Sequence, residues 1–248
     1  MSRPGPALKP ALRSRLSDSV CEQLIRGIGA GSFELGSELP SESALAQEFG
    51  VSKPVVREAL GRLASFGALL IRQGRPTTVT GLTSGPLREF FSLAMQIQPE
   101  SLREAIELRR AIETQTIALA AARATDDEIA ELRALVDQMA GQTATLEVFI
   151  ETDIKFHQCV ARASHNRLML LIVDALEEIM RESIINLQTK RKSTDPLRKH
   201  RIHQRLLKTI EDRDPAVAVA TMNEHFDASS AVVAELLNER GSSSQKSR

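Results

Sequence analysis

The stretch Leu39–Leu70, LPSESALAQEFGVSKPVVREALGRLASFGALL, constrains the fold more than any other part of the chain. Ser41 is placed to cap a first short helix over Glu42–Phe49. Gly50 ends that helix, because glycine reaches the left-handed conformation at little cost. Ser52 then stands at the cap position of a second helix, so the stretch predicts two helices joined by a tight turn.

The second helix has an apolar face and a basic face. It opens with Lys53 and Pro54, where the missing N–H of proline would be unpaired in any case. Five apolar residues share one face: Val55, Val56, Ala59, Leu60 and Leu63. The other face presents Lys53, Arg57 and Arg62. Two helices joined by a glycine turn, the second with basic residues near its start, predict a helix-turn-helix that enters the DNA major groove.

A β-hairpin is predicted directly after these helices. Leu69–Arg72 and Thr77–Thr80 have strand character, and Gln73–Pro76 forms the tip. Arg72 and Arg75 bring positive charge to this tip, which favours a wing that contacts phosphates or the minor groove. The alternative is a hairpin that only completes the core of the small domain.

Charge is distributed unevenly along a chain whose formal net charge is zero. Through Leu82 there are ten Lys and Arg against seven Asp and Glu, a net of +3, so the remaining residues carry −3. A uniformly basic coat is therefore excluded, and DNA affinity has to come from a local patch. Tryptophan and tyrosine are absent, which argues against an aromatic base-stacking platform.

The length of 248 residues predicts two domains. The predicted segments are a disordered tail over residues 1–10, a winged helix-turn-helix over 11–81 with its first helix at Leu12–Ile28, a linker that becomes helical over 82–98, an all-helical domain over 99–240 and a disordered tail over 241–248. Six segments of the later domain have helical periodicity: Ser101–Ala124, Asp126–Ala140, Thr145–Ala163, Arg167–Gln188, Pro196–Asp212 and Pro215–Asn238. The predicted fold is mainly α: three helices plus a β-hairpin wing, followed by an all-α bundle of six to seven helices.

Three of the five histidines lie on inward-facing stripes of three different predicted helices. His157 follows Asp153 by four residues on the apolar face of its helix, and His203 and His225 lie on the stripes of the last two helices. A buried carboxylate needs a compensating partner. Three imidazoles and one carboxylate form a donor set for a divalent transition metal such as Zn²⁺, Ni²⁺ or Mn²⁺.

Simpler interpretations of these residues remain open at this point. A single core histidine is usually a satisfied hydrogen-bonding group, and an Asp with a His four residues later is often a local ion pair. His165 lies in a helix break and His200 lies off the stripe, so both are interpreted as solvated.

The two cysteines and the hydropathy pattern indicate the compartment. Cys21 and Cys159 lie far apart within helical patterns, without a CxxC motif, and are predicted to be buried, reduced thiols. The N-terminus lacks the apolar core of a signal peptide, and no run reaches the roughly 18 apolar residues of a membrane span. A cytoplasmic protein without membrane contact is expected, associated with the nucleoid when it is bound to DNA.

These residues resemble a known family. The helix-turn-helix stretch with the following GRPTTV is similar to the winged helix-turn-helix of GntR-type bacterial transcription regulators. The helical domain resembles the FCD ligand-binding domain of the FadR-like subfamily. Four segments carry this second resemblance: Glu107–Glu113, Thr152–Asn166, His203–Ile210 and Met222–Phe226. The resemblance covers about residues 11–238.

The resemblance implies a homodimer that binds double-stranded operator DNA. It implies a repressor and not an enzyme, and a small carboxylate or sugar acid is expected to release this repressor from the DNA. It implies DNA contacts from Ser41, Ser43, Ser52, Lys53, Pro54, Val55, Arg57, Arg62, Gln73, Gly74 and Arg75. It assigns the divalent metal to Asp153, His157, His203 and His225. Arg109 matches a family arginine expected to pair with the effector's carboxylate, and Asn166 an asparagine expected to line the pocket. Ordinary capping or surface roles remain open for Arg109, Arg110 and Asn166.

The chain departs from the family pattern at three positions. Ser43 stands where many relatives have arginine, which removes one basic DNA contact. Lys53 replaces the usual arginine and gives up its planar, bidentate fork. His165 takes the place of a glycine and changes that turn. Arg57 is retained and is the residue best suited to read a guanine edge.

Three other functions are consistent with the same residues. In a direct metal sensor, the metal itself would be the signal. In a metal-dependent enzyme, open coordination positions would activate water, but no general base or nucleophile triad stands beside the ligands. A regulator that binds acyl-CoA without a metal would leave the four-residue pattern unexplained.

Overall fold

The computed structural model of the chain describes residues 12–98, 101–140, 146–188 and 196–227. The chain divides into two compact units, Met1–Pro86 and Leu87–Arg248. The first unit has the elements of a winged helix-turn-helix, and every regular element described in the second is a helix. The predicted fold class is therefore confirmed.

The first unit packs two helices against the apolar face of a third. Its elements are α1 (Leu12–Gly29), α2 (Glu42–Glu48), α3 (Lys53–Ser65), β1 (Leu69–Leu70) and β2 (Thr78–Val79). The Ser41 hydroxyl accepts the Ala44 N–H at 3.2 Å and so caps α2, as predicted. Gly50 follows with a φ of +64°, which only glycine adopts freely. Ser52 occupies the cap position of α3 without a side-chain capping hydrogen bond.

The hairpin is shorter than the sequence predicts. β1 and β2 pair antiparallel over two residues each, with Leu69 opposite Val79 and Leu70 opposite Thr78. The Arg75 N–H donates to the Arg72 carbonyl. Because the tip forms this turn, its residues do not pair as strands. Residues 36–39 cover the other edge of β2, where Val79 N–H donates to the Ser37 carbonyl at 2.9 Å.

The second unit is a bundle centred on one helix. Its elements are α4 (Gly85–Ile97), α5 (Ser101–Arg123), α6 (Asp126–Met139), α7 (Leu146–Ala163), α8 (Arg167–Gln188), α9 (Pro196–Glu211) and α10, described over residues 215–227. Helix α7 packs against α5, α6 and α8, while α5 and α6 also contact α9. Helix α4, which the sequence places in the linker, packs Phe91 and Met95 against the core of this bundle.

Two local features set the ends of these helices. Thr125 and Glu128 form a reciprocal capping box at the start of α6, which satisfies two N–H groups that no turn of the helix can reach. The turn after α7 uses His165 with a φ of +53°, in the region that glycine favours. The exposed His165 ring contacts the Glu128 carboxylate at 3.1 Å, so the residue joins this turn to α6.

Cys21 and Cys159 are buried, free thiols, as predicted. Among the helices in the described part of the chain, none combines the length and the apolar character needed to cross a membrane.

Candidate metal centre and DNA-contacting surface

The four predicted ligands lie together in the second unit. Helix α7 carries Asp153 and His157, α9 carries His203 and α10 carries His225, and one ring nitrogen from each histidine lies within 4.8 Å of the others. His203 Nε2 is 2.8 Å from Asp153 Oδ1, and His157 Nε2 is 3.9 Å from the same oxygen. The carboxylate therefore lies between two imidazoles that come from different helices.

Aromatic side chains surround this cluster. The ring of Phe156, which is fully buried, stands edge-on to His203 and His157 at centroid distances of 5.0 and 5.7 Å. Phe226 lies 5.4 Å from His225. The Asp153 side chain is 21% exposed, whereas those of His157 and His203 are almost completely buried. Solvent therefore reaches the cluster at Asp153.

The cluster is electrostatically coupled. Burial alone would raise the pKa of Asp153, but the hydrogen bond with His203 and the neighbouring imidazoles outweigh it and hold this pKa well below its usual range. Burial would lower the pKa of His157, but the Glu113 carboxylate raises it to about 9. Burial, together with the charges of His157 and His203, holds the pKa of His225 well below its ordinary value.

A second layer of charged residues lies behind His157. Glu113 of α5 places Oε2 at 2.6 Å from His157 Nδ1 and accepts the Arg109 Nε–H on Oε1 at 2.7 Å. Arg109 also forms an ion pair with Glu177 of α8. Arg109 is 7% exposed and both glutamates are 1% exposed. The four side chains form a continuous chain from α8 through α5 to the imidazole on α7.

One guanidinium serves two buried carboxylates in this layer. Burial would lower the pKa of Arg109, but Glu113 and Glu177 raise it, so the guanidinium keeps its charge. Burial would raise the pKa of Glu113, but Arg109 and His157 lower it to about 2. Burial raises the pKa of Glu177 to about 8. Arg109 lowers this pKa and the nearby Glu113 charge raises it, but burial is the largest effect. Burial therefore disfavours the ionised form of Glu177 more than that of Glu113, although Arg109 remains its ion-pair partner.

The donor chemistry of the histidine cluster fits a divalent transition metal. Imidazole nitrogens and a carboxylate oxygen are the ligands that Zn²⁺ and Ni²⁺ prefer in proteins. Metal sites usually have a carboxylate behind a ligating histidine, and Glu113 lies at this place behind His157. Glu113, His157 and Glu177 also lie within 4.8 Å of one another. Because Arg109 already supplies a positive charge to both carboxylates, the three-histidine cluster is the better metal site.

The two predicted effector residues have structural partners. Arg109 is held by both glutamates, and its guanidinium carbon lies 5.6 Å from the centre of the Phe226 ring. Asn166 caps α8, since its side-chain oxygen accepts the Met169 N–H at 3.2 Å. The neighbouring Arg110 joins α5 to α10 through Asn223 and Asp227.

Sequence reasoning missed Glu113 and Glu177, the two buried carboxylates of the layer behind the histidine cluster. Glu113 follows Arg109 by four residues and precedes the buried Ile117 by four, so it lies on the buried stripe of α5. Glu177 adjoins the buried Leu176. A charged residue on an apolar stripe indicates a buried charge at these positions, as it does at Asp153.

The predicted DNA-contacting residues lie in the first unit, and all but one are exposed. The exposed ones are Ser41, Ser43, Ser52, Lys53, Pro54, Arg57, Arg62, Gln73, Gly74 and Arg75. Val55 is 3% exposed and belongs to the core of the unit. The assignment of Val55 to DNA contact is therefore corrected: its position on the apolar face of α3 directs it to the core.

Two of the basic residues on α3 form ion pairs. Arg57 makes a bidentate pair with Glu42 of α2, with Nε–Oε1 and Nη2–Oε2 distances of 3.1 and 2.7 Å. Arg62, in the last turn of α3, pairs with Asp18 of α1. Lys53 stands at the first position of α3, the end of the recognition helix that approaches bases in this motif.

Comparison with known proteins gives two family matches, with residues 80–103 between them. Residues 16–79 match the family described as "Bacterial regulatory proteins, gntR family", and residues 104–228 match the FCD domain. The HTH-type transcriptional regulator LutR of Bacillus subtilis (strain 168) is 26% identical over 201 residues, which cover 79% of this chain and 91% of LutR. The HTH-type transcriptional repressor NanR of Salmonella newport (strain SL254) is 29% identical over 251 residues, which cover 97% of this chain and 92% of NanR.

The solved structure titled "Streptococcus agalactiae GntR" has the same fold. Its TM-score is 0.60 at 23% identity, and the match covers 86% of this chain and 98% of that one. Fold and matches together define a transcriptional regulator built from a DNA-binding and a ligand-binding domain. The chain belongs to the GntR family of bacterial regulatory proteins and, with its FCD domain, is consistent with the FadR-like subfamily.

Proposed function

We propose that this regulator is a repressor that binds operator DNA as a homodimer and is released by a small carboxylate or sugar acid. The effector would bind at a divalent metal held by Asp153, His157, His203 and His225. The observation that supports this proposal is the convergence of these four side chains from three helices in a chain that also has a winged helix-turn-helix. The name of the related NanR supports the repressor assignment.

The proposed metal would supply positive charge and open coordination positions to an acidic ligand. The protein's own residues prepare the site for it. Asp153 and the three imidazoles provide the donors, and Phe156 keeps water from two of the rings. Residues 83–248 carry a net charge of −3, so an anionic effector depends on the positive centre that these donors would hold.

Arg109 and Asn166 remain the proposed effector residues. An effector carboxylate that pairs with Arg109 has to displace Glu177 from the guanidinium. Glu177 is the weaker of the two partners, because burial favours its neutral form. Asn166 already uses its side-chain oxygen to cap α8, so a ligand would use the amide NH₂ group. For release from DNA, the effector must also bind the conformation with low DNA affinity more tightly than the conformation with high DNA affinity.

The effector proposal predicts ligand-dependent stabilisation of the protein. A panel of sugar acids and small carboxylates is added to metal-loaded protein, and the thermal midpoint is measured. A ligand at 100 times its Kd stabilises the folded state by about 2.7 kcal/mol, which corresponds to a rise of several degrees for a chain of this size. The same ligand has to weaken operator binding in a mobility shift. If the metal alone changes operator affinity and no acid does, the protein is a metal sensor.

The DNA-binding proposal predicts a specific role for Arg57. Mobility shifts with genomic fragments around the protein's own gene should identify a fragment that binds above the non-specific background. Arg57→Ala is expected to weaken binding to that fragment by roughly 1–3 kcal/mol and to relax specificity at one base pair, because arginine reads a guanine edge in a bidentate manner. Arg26→Ala, at an exposed position in the last turn of α1, is the control and should bind as wild type. Equal losses in both variants would contradict a specific role for Arg57.

A further inference from the structure

The two nitrogens of His157 face different groups. Nε2 is directed toward Asp153 Oδ1 at 3.9 Å, on the side where His203 and His225 lie. Nδ1 lies 2.6 Å from Glu113 Oε2 on the opposite side. A carboxylate accepts but does not donate when it is ionised, so this contact requires the proton on Nδ1. Nε2 is then the nitrogen with a lone pair for a ligand whenever the ring is neutral.

The carboxylate of Glu113 is fixed at both of its oxygens. Oε2 faces His157, and Oε1 accepts the Arg109 Nε–H at 2.7 Å. Two donors that converge on the two oxygens define both the position and the plane of the carboxylate. With the carboxylate held in this way, the His157 ring has one orientation that keeps Nδ1 at 2.6 Å from Oε2.

Arg109 is itself held from two further directions. It pairs with Glu177 of α8 and lies 5.6 Å from the ring centre of Phe226, the residue next to His225. The orientation of His157 on α7 therefore depends on side chains of α5 and α8, none of which belongs to the four predicted ligands.

We propose that Glu113 is a positioning residue of the metal centre, which fixes the tautomer and the orientation of His157, and that Arg109 holds Glu113 in place. This inference rests on the metal site of the proposed function. Groups that orient a ligating histidine typically contribute 10–100-fold to metal affinity. Glu113 should contribute to metal affinity to this extent. Glu177 should not, because it pairs with Arg109 and does not reach His157 within hydrogen-bond distance.

The two buried glutamates provide a matched pair of variants. In Glu113→Gln, one amide oxygen faces two donors, so the NH₂ group meets either Arg109 or His157 Nδ1. If it meets Nδ1, the ring has to carry its proton on Nε2, where it cannot bind a metal. In Glu177→Gln, the amide oxygen stays available to accept from Arg109, the ion-pair partner of Glu177. Each variant leaves the guanidinium one carboxylate, so both are expected to fold.

Metal affinity is measured by competition of the full-length protein with a chromogenic chelator for Ni²⁺ and Zn²⁺. We expect Glu113→Gln to weaken binding by about 10–100-fold and Glu177→Gln to remain within roughly threefold of wild type, since Glu113 pairs with His157 itself whereas Glu177 pairs with Arg109. Equal losses in the two variants, or no loss in either, would overturn the positioning role. If wild type binds no metal, the metal site of the proposed function fails, and this inference fails with it.

The tautomer of His157 gives a readout that a general loss of stability does not produce. Long-range ¹H–¹⁵N spectra of the metal-free protein at a pH where the ring is neutral should show a protonated Nδ1 in wild type and in Glu177→Gln. Glu113→Gln should show a mixture of tautomers or a protonated Nε2. An unchanged Nδ1–H signal in Glu113→Gln would overturn the proposal even if metal affinity falls.

Discussion

His203→Ala should abolish tight binding of a divalent metal by this regulator. His203 comes from α9, whereas Asp153 and His157 come from α7, so its loss removes the contact that joins the two helices at the cluster. Groups that only orient a ligand are worth about 10–100-fold in metal affinity, so the loss of a ligand is expected to exceed roughly 100-fold. Metal content after dialysis and a competition titration measure it, and wild type should hold one ion per chain.

His165→Ala provides the control for this experiment. His165 is exposed, lies in the turn after α7 and contacts Glu128, away from the proposed ligands. It should keep the affinity of wild type. A chelator should lower the thermal midpoint of wild type and of His165→Ala, and should leave His203→Ala almost unchanged. A His203→Ala protein that retains one tightly bound ion would contradict the proposed ligand set.

Arg109→Ala should destabilise the helical unit by about 3–5 kcal/mol, because removing one partner of a buried ion pair leaves an uncompensated buried charge. Here the loss affects two carboxylates, Glu113 and Glu177, both 1% exposed. Denaturant unfolding followed by circular dichroism measures the change. Adding Glu177→Gln to Arg109→Ala should recover part of the loss, since one fewer carboxylate is then buried without a cation.

Arg133→Ala is the matched control for Arg109→Ala. Arg133 pairs with Glu211 between α6 and α9, but on the surface, where such a pair is worth less than about 1 kcal/mol. Similar losses in the two arginine variants, or a loss below about 1 kcal/mol in Arg109→Ala, would show that the buried pairs do not hold the unit together.

Local sequence rules predicted the elements of the fold well and the strand lengths poorly. Helix ends followed from single residues, as at Ser41 and Gly50, because caps and left-handed turns depend on one side chain each. Each strand was predicted too long by two residues. The Arg75 N–H donates to the Arg72 carbonyl within the turn, so the strands end earlier than their residue preferences indicate.

Periodicity also placed Asp153, His157, His203 and His225 on inward faces, but it did not predict their partners. The pattern of one helix shows which residues are buried, not which residues of another helix they meet. Glu113 and Glu177 were missed for this reason, because their role follows from the contact with Arg109 and His157 across α5, α7 and α8. The same limit applies to Arg57, whose partner Glu42 lies on a different helix.

The pair between Arg57 and Glu42 has a consequence for how the regulator searches a genome. Arg57 is largely exposed, and both of the nitrogens that would form a bidentate contact already bond to the carboxylate. Transfer of this guanidinium to any phosphate separates it from Glu42, so the exchange lowers affinity for every DNA sequence alike. A bidentate contact to a phosphate or to a guanine edge would offset the exchange, and only the guanine contact depends on the DNA sequence. With Arg57 in the proposed guanine contact, the exchange with Glu42 is common to every DNA sequence, and the base contact alone separates the operator from the many competing sites of a chromosome.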